Sequence, residues 1–134
     1  MKTEENILII GAGLCGSLLA LRLGQRGYNV KVMERRSDLR KENISAGRSI
    51  NLALSNRGIK ALKMVGLENK VKNLCIPMHG RMLHDKSGNT KLSKYSGRDG
   101  EYIHSISREL LTALLIDEAE ALENVSFEFD QKCD

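Results

Sequence analysis

Tryptophan is absent from the chain, and aromatic residues make up only 4% of it. The basic residues are scattered and never interleaved with aromatics, so they form no stacking platform for a nucleic acid. The net charge of +4 reads instead as a solvated surface that favours an anionic cofactor. Cysteine is scarce: Cys15, Cys75 and Cys133 are odd in number, far apart and form no C-x-x-C pair. That argues against a metal site and a disulfide framework and points to a reducing, cytoplasmic compartment. Long apolar runs are missing too. None approaches the length of a membrane span, and the charged residues 1–5 lack the apolar stretch of a signal peptide. What remains is the composition of a soluble globular protein, 41% hydrophobic and 28% charged over 134 residues, enough for one domain with a real core.

Against that plain background one stretch stands out. Residues 7–16 read ILIIGAGLCG, a short apolar strand that runs into a G-x-G-x-x-G turn. A second apolar run, Val30-Lys31-Val32-Met33, ends on Glu34. Strand, glycine turn, helix, strand and acid in this order are the dinucleotide-binding fingerprint. Gly11 makes the tight turn, Gly13 lets the backbone approach a pyrophosphate, and Gly16 lets the helix lie against the strand. The helix that begins near Leu14 would aim its free N–H groups and positive dipole end at the phosphates. Glu34 would accept hydrogen bonds from ribose hydroxyls, and its carboxylate argues against a 2′-phosphate there despite the neighbouring Arg35 and Arg36. Cys15, at a helix N-terminus, reads as a small residue packed under the turn rather than as a reactive thiol.

The pattern predicts strand, helix, strand, long loop, helix, hairpin, helix, strand. The first helix spans residues 14–26, with Leu14, Leu18, Leu21 and Leu23 among its apolar positions and Gly27 as its stop. Residues 35–48 are charged and irregular, the kind of long loop that is usually functional or mobile. Ser55 is a candidate N-cap for a helix carrying Ile59, Leu62 and Val65 and ending at Gly66, and a short helical piece follows at 68–74. Residues 78–84 and 90–95 flank the turn formers 85–89 as a hairpin, and 101–105 reads as a further strand. Ser107 caps a helix from Arg108 to about Ala121 that buries Leu110, Leu111, Leu114 and Leu115. Residues 125–129 alternate as a strand. The fold class is α/β: a Rossmann-like parallel sheet with helices, plus a small β-hairpin. No domain boundary falls inside the chain. His79, His84 and His104 show no ligand spacing.

After Glu34 the signals leave the plain dehydrogenase pattern, which would continue with a helix and a third parallel strand. Instead a basic loop contains GRSINLALS at residues 47–55. Arg57-Gly58, Ala61-Leu62-Lys63, Val65-Gly66-Leu67-Glu68, Ile76-Pro77-Met78, Arg81-Met82 and Ser107-Arg108-Glu109 follow. With these segments the chain resembles the flavoprotein aromatic hydroxylases, relatives of p-hydroxybenzoate hydroxylase, and among them the kynurenine 3-monooxygenase group, from residue 7 to about 133. The nine-residue block is much more specific than the glycine motif.

The resemblance implies an FAD-dependent monooxygenase. In such enzymes a reduced nicotinamide, usually NADPH, reduces the flavin, and O2 supplies the hydroxyl placed on ring position 3 of L-kynurenine. That step belongs to tryptophan catabolism and NAD biosynthesis. It further implies cofactor contacts at Gly11, Gly13, Cys15, Gly16, Met33, Glu34, Arg35 and Arg36, and at Ala53 near the flavin. Arg108 and Cys133 complete the cofactor set. Arg81 and Tyr95 match the pair that holds the substrate carboxylate, as a guanidinium fork and a phenol suit. A cation early in a helix, as Arg108 is, opposes the dipole and so argues for a functional reason. Bland readings stand beside these: Arg48 and Arg57 as solvated loop charges, Tyr95 as strand packing. The chain carries one extra residue at 96–100 relative to the family pattern, which bears on the register of Tyr95. No side chain is expected to act as nucleophile or general base.

Family members are much longer, and their second half supplies a Gly-Asp flavin motif and most of the sheet. The chain therefore reads as an N-terminal portion, with an apolar face left open to self-association. Two other readings stay open: a different FAD-dependent oxidoreductase of the same fold, which a lack of 3-hydroxykynurenine formation would favour, and a non-catalytic nucleotide-binding module.

Overall fold

The computed structural model describes residues 5–41 and 50–133. Within it, β1 (Asn6–Ile10), α1 (Leu14–Gln25) and β2 (Asn29–Met33) form the expected βαβ unit. β1 pairs in parallel with β2, Ile7 opposite Val30 and Ile9 opposite Val32. β2 pairs in parallel with the last strand, β8 (Val125–Glu128), which places the chain's two ends in one sheet of order β1-β2-β8. The side-chain period of two decides the faces. Val30 and Val32 are buried while Lys31 points to solvent, where it pairs with Glu128 at 2.7 Å. α1 and α4 (Arg108–Glu120) cover the inner face, and Ala20, Leu21, Leu115, Ile116 and Ala119 fill the layer between helices and sheet.

β1 is apolar on both faces, as strands of doubly covered parallel sheets are. Here only one face is covered: Ile9 is 9% exposed, but Leu8 is 57% and Ile10 56%. The open apolar face expected from the sequence is therefore present on β1.

A second, antiparallel sheet of order β3-β7-β4 joins β3 (Asn51–Leu54), β7 (Ile103–Ser107) and β4 (Ile76–Met78). Neither β3 nor β4 follows from the local pattern. Residues 51–54 were expected in a loop, yet Leu52 pairs with Ile106 and Leu54 with His104. Met78, expected in the hairpin, pairs with Ile103 instead. β7 also lies two residues later than expected and runs directly into the cap of α4. Ser107 Oγ accepts from Leu110 N at 3.3 Å, as anticipated. Ser55 does occupy the N-cap of α2 (Asn56–Met64), but its side chain makes no capping bond. α3 (Glu68–Lys72) is slightly shorter than expected, and Leu110, expected inside, is 41% exposed. The buried stripe of α4 is centred on Leu111, Leu115 and Ala119 with Thr112 and Ile116, so Leu110 lies at its margin. β5 (Gly80–His84) and β6 (Thr90–Lys94) form the hairpin. Of the GRSINLALS block, residues 47–49 and with them Arg48 lie outside the described residues, as does the second half of the 35–48 loop, residues 42–48. No helix among the described residues is long and apolar enough to cross a membrane.

Candidate functional site

The glycine turn is built as its sequence requires. Gly11 has φ +100°, a conformation that a side chain resists, and its N–H donates to Met33 O at 2.7 Å, closing β1 onto β2. A β-carbon on Gly16 would overlap the Gly11 carbonyl oxygen and meet Ile9 Cγ2 at 3.4 Å, so only glycine lets α1 pack this close. Ser17, fully buried, donates its hydroxyl to Ala12 O at 3.1 Å and locks the turn from below. Gly13 differs, because a β-carbon there would meet nothing within 4 Å. It is the N-cap of α1, no side chain caps the helix, and no acid occupies its first turn. The first amides of a helix have no partner within it, so this end suits an external anion.

Glu34 closes the site from the β2 side and is 7% exposed. Its Oε2 accepts from Ala12 N at 2.8 Å, and its Oε1 accepts from Arg36 N and Arg36 Nε, both at 3.0 Å. Burial alone would raise its carboxyl pKa. The bonds from the Arg36 side chain and backbone and from Ala12 N outweigh that and hold it below the usual carboxylate range. Sequence reasoning assigned Glu34 to a ribose and missed this role as the anchor of the turn. A carboxylate has about four lone-pair positions, and three are engaged. The Arg36 side chain is 70% exposed, so its share is readily released to a ligand hydroxyl.

Between the turn and the segment that follows β8 lies a cleft of about 440 Å³. It brings together Gly11, Gly13, Met33, Glu34, Arg35, Arg36 and Cys133, seven of the expected cofactor residues. Gln131 and Lys132, which sequence reasoning passed over, line it as well. The segment after β8 is stitched to the segment after β2: Gln131 N donates to Glu34 O at 2.9 Å and Asp130 N to Arg36 O at 3.2 Å. Cys15 is exposed in the first turn of α1 and does not line the cleft, and Gly16 sits behind it as a packing residue. Cys15 is therefore not packed under the turn, as the sequence had suggested.

Ala53, in β3 of the second sheet, and Arg108, where β7 passes into α4, lie apart from this cleft. Ala53 pairs with Ser105, and Arg108, exposed at the first position of α4, donates its N–H to Ile50 O at 3.1 Å. Beside it in sequence, Glu109 Oε2 is buried and has no hydrogen-bond partner among the described residues. Cys75 is half-buried, which pushes its thiol pKa up.

The hairpin turns over the five residues 85–89, the loop expected from the sequence, and this sets His84 opposite Thr90 and Arg81 opposite Ser93. Asp85 Oδ1 fixes its turn by accepting from Ser87 N and Asn89 N. Tyr95 follows β6, and its N–H donates to His79 O at 3.1 Å, which continues the pairing and leaves Tyr95 two residues from Ser93 on the Arg81 face. Both side chains are exposed. Tyr95 borders a separate cleft of about 270 Å³ with Arg57 and Tyr102, and Arg81 does not line it. The rings of His79 and His104 both pack against Tyr102, with centroids 4.8 and 5.0 Å away.

A family model described as an FAD binding domain matches residues 4–134. The chain is 49% identical over 132 residues to the kynurenine 3-monooxygenase of Cytophaga hutchinsonii, covering 97% of this chain and 29% of that protein. It is 46% identical over 127 residues to the enzyme of that name from Anopheles gambiae, covering 95% and 26%. For the one from Myxococcus xanthus the figures are 44% over 129 residues, 96% and 28%. The chain thus spans about 28% of the length of the curated relatives it matches. Among solved structures, p-nitrophenol 4-monooxygenase from Pseudomonas putida shares the fold with a TM-score of 0.74 at 20% identity, over 97% of this chain and 33% of that one. The tetrameric form of 2-methyl-3-hydroxypyridine-5-carboxylic acid oxygenase does so with a TM-score of 0.74 at 19% identity, over 94% and 31%.

Proposed function

Because the chain belongs to the FAD binding domain family, we propose that it forms the cofactor-binding part of a kynurenine 3-monooxygenase. That enzyme is FAD-dependent, takes electrons from NADPH and oxygen from O2, and hydroxylates L-kynurenine. The observation that carries the reading is the cleft itself: the glycine turn, an uncapped helix end and Glu34 converge there, in a chain 49% identical to a relative of that name.

In this reading the amides at the start of α1 hold the pyrophosphate, helped by the backbone approach that Gly13 leaves open. Glu34 takes the ribose hydroxyls, and Met33, Arg35, Arg36 and Cys133 border the adenosine. Ala53 and Arg108 reach the cofactor farther along. Arg81 and Tyr95 hold the substrate carboxylate. FAD, when bound, supplies the redox and oxygen chemistry, and the protein's part is to bind, orient and exclude water. No nucleophile or general base is required of these side chains. The compartment is cytoplasmic, and the open face of β1 favours self-association of the isolated chain.

Two outcomes test this. In a full-length protein carrying the chain, Arg81→Ala is expected to raise KM for kynurenine about 10- to 100-fold, the worth of a charged bidentate contact, and to leave FAD affinity unchanged. A KM that does not move removes Arg81 from the substrate site. The 134-residue chain alone is expected to bind FAD weakly and to form no 3-hydroxykynurenine when incubated with FAD, NADPH, O2 and L-kynurenine. Product formation at the rate of a full-length relative would show that the residues given suffice for catalysis.

A further inference from the structure

The two walls of the cleft share a support that the proposed function does not use. Residues 35–37 and 130–133 are all exposed, so apolar burial does little to fix them. What holds them is polar. Besides the two backbone bonds already described, Ser37 Oγ donates to Asp130 Oδ1 at 2.9 Å, and Asp130 makes the turn between β8 and the second wall with φ +58°. Behind this seam sits Arg40. Its Nε and Nη2 fork onto Asp38 at 2.8 and 2.7 Å, and its N–H donates to the same carboxylate at 3.0 Å. Its Nη1 reaches Asp117 at 2.8 Å and Glu120 at 2.7 Å in the last turns of α4. Its guanidinium lies 5.7 Å from the ring centre of Phe129, the residue before the Asp130 turn. Asp38 is 6% exposed, so the pair is no loose surface contact.

We infer that Arg40 is a positioning residue for the dinucleotide cleft: it ties the segment after β2 to α4 and to Phe129, and so fixes the spacing of the walls at residues 34–36 and 131–133. This rests on the dinucleotide reading above. Arg suits the role and Lys does not, because one planar fork satisfies several acceptors at once. The three carboxylates come from three positions in the sequence, so a merely local cap is not what the geometry describes. The side chain bridges the loop and the strand end that lead into the two walls of the cleft, and ties both to α4.

The test compares the chain with Arg40→Ala, Arg40→Lys and the triple variant Arg40→Ala, Asp117→Asn, Glu120→Gln. The triple variant removes the clasp without leaving its carboxylates to repel one another. Amide hydrogen exchange is read without ligand at Asp130 and Gln131, whose N–H groups stitch the walls, and at Val30 and Val32 in the core. Affinity is read with ADP, which carries the adenosine and pyrophosphate of the cofactor. Expected for Arg40→Ala and the triple variant alike are about tenfold faster exchange at Asp130 and Gln131, unchanged exchange at Val30 and Val32, and about tenfold weaker ADP binding. Arg40→Lys is expected to fold and to show the same local signature to a smaller degree, so the inference is decided even where the alanine variant is unstable. Unchanged exchange at the wall amides overturns it. So does equal acceleration in the core, which marks general destabilisation, and so does full recovery in the triple variant, which marks carboxylate repulsion as the cause. If the unsubstituted chain binds no ADP, the dinucleotide reading falls, while the ligand-free exchange still decides the clasp.

Discussion

Replacing Gly16 by alanine is expected to cost the chain about 3 kcal/mol of stability, at the upper end for overpacking, and most of its dinucleotide affinity. The obstacle is not a side chain that swings aside but the carbonyl of Gly11, in a turn whose own φ of +100° leaves it little room to shift. Moving that carbonyl disturbs the Gly11 N–H bond to Met33 O and with it the junction of β1 and β2. For a domain of this size the loss corresponds to about 10 °C in Tm. Gly13→Ala makes the contrast. A β-carbon there meets nothing within 4 Å and the backbone sits at φ −74°, so stability is expected to change by no more than about 1 kcal/mol while FAD affinity falls sharply. Thermal melts of the chain, with FAD titration of a full-length protein that carries it, separate the two. A Gly16→Ala melt that coincides with the parent would mean the turn is not the tight structure described, and a Gly13→Ala protein that binds FAD normally would mean the phosphates lie elsewhere.

The parts of this structure that local sequence reveals are those whose cause is local. The βαβ unit follows from the period-two burial of Val30 and Val32 and from glycines whose roles are steric. The register of the hairpin follows from the length of the 85–89 loop and from Asp85, which bonds its own turn. What stayed hidden depends on partners far along the chain. β3 is four residues of modest strand propensity, Asn-Leu-Ala-Leu, and becomes a strand because β7 lies beside it, with Leu52 opposite Ile106. β4 is likewise made by β7. Arg40 sat in a stretch read as a charged, irregular loop. Nothing local announces that Asp117 and Glu120, three apart on one face of α4, wait for it. The only hint was the Asp38-x-Arg40 spacing, and that is common in solvated loops. The candidate site divides in the same way. Gly11, Gly13 and residues 33–36 meet in one cleft, whereas Ala53 stands in the second sheet, Arg108 at the start of α4, and Arg81 and Tyr95 on the hairpin. Only the family resemblance linked these groups, because no local signal in the sequence relates one of them to another.

Glu34→Ala is expected to act twice. Without ligand it removes the acceptor for the N–H of Ala12, a residue only 2% exposed, and for Arg36 N at the edge of the cleft. Two charge-assisted backbone bonds lost from a buried carboxylate correspond to about 3 kcal/mol of stability. With ligand, the lost ribose contact is expected to weaken FAD binding by about 1–3 kcal/mol more. Glu34→Gln keeps the shape and one acceptor oxygen but sets an NH2 group against a donor, so it should fall between the parent and alanine. The pH dependence supplies an independent signature. The Glu34 carboxyl is held below its ordinary value of 4.5, so the folded state binds this proton less readily than the unfolded chain does. The stabilisation is fully present above that ordinary value and is lost as pH falls toward and through the lowered one. Asp38, lowered by the Arg40 side chain, adds a loss of the same sign on the acid side. Stability of the parent should therefore drop faster than that of Glu34→Ala as pH falls through and below 4.5, and the gap between the two curves should narrow on the acid side. Parallel curves across that range would mean the carboxylate does not anchor the turn. Unchanged FAD affinity in the full-length variant would remove Glu34 from the ribose site while leaving its structural role intact.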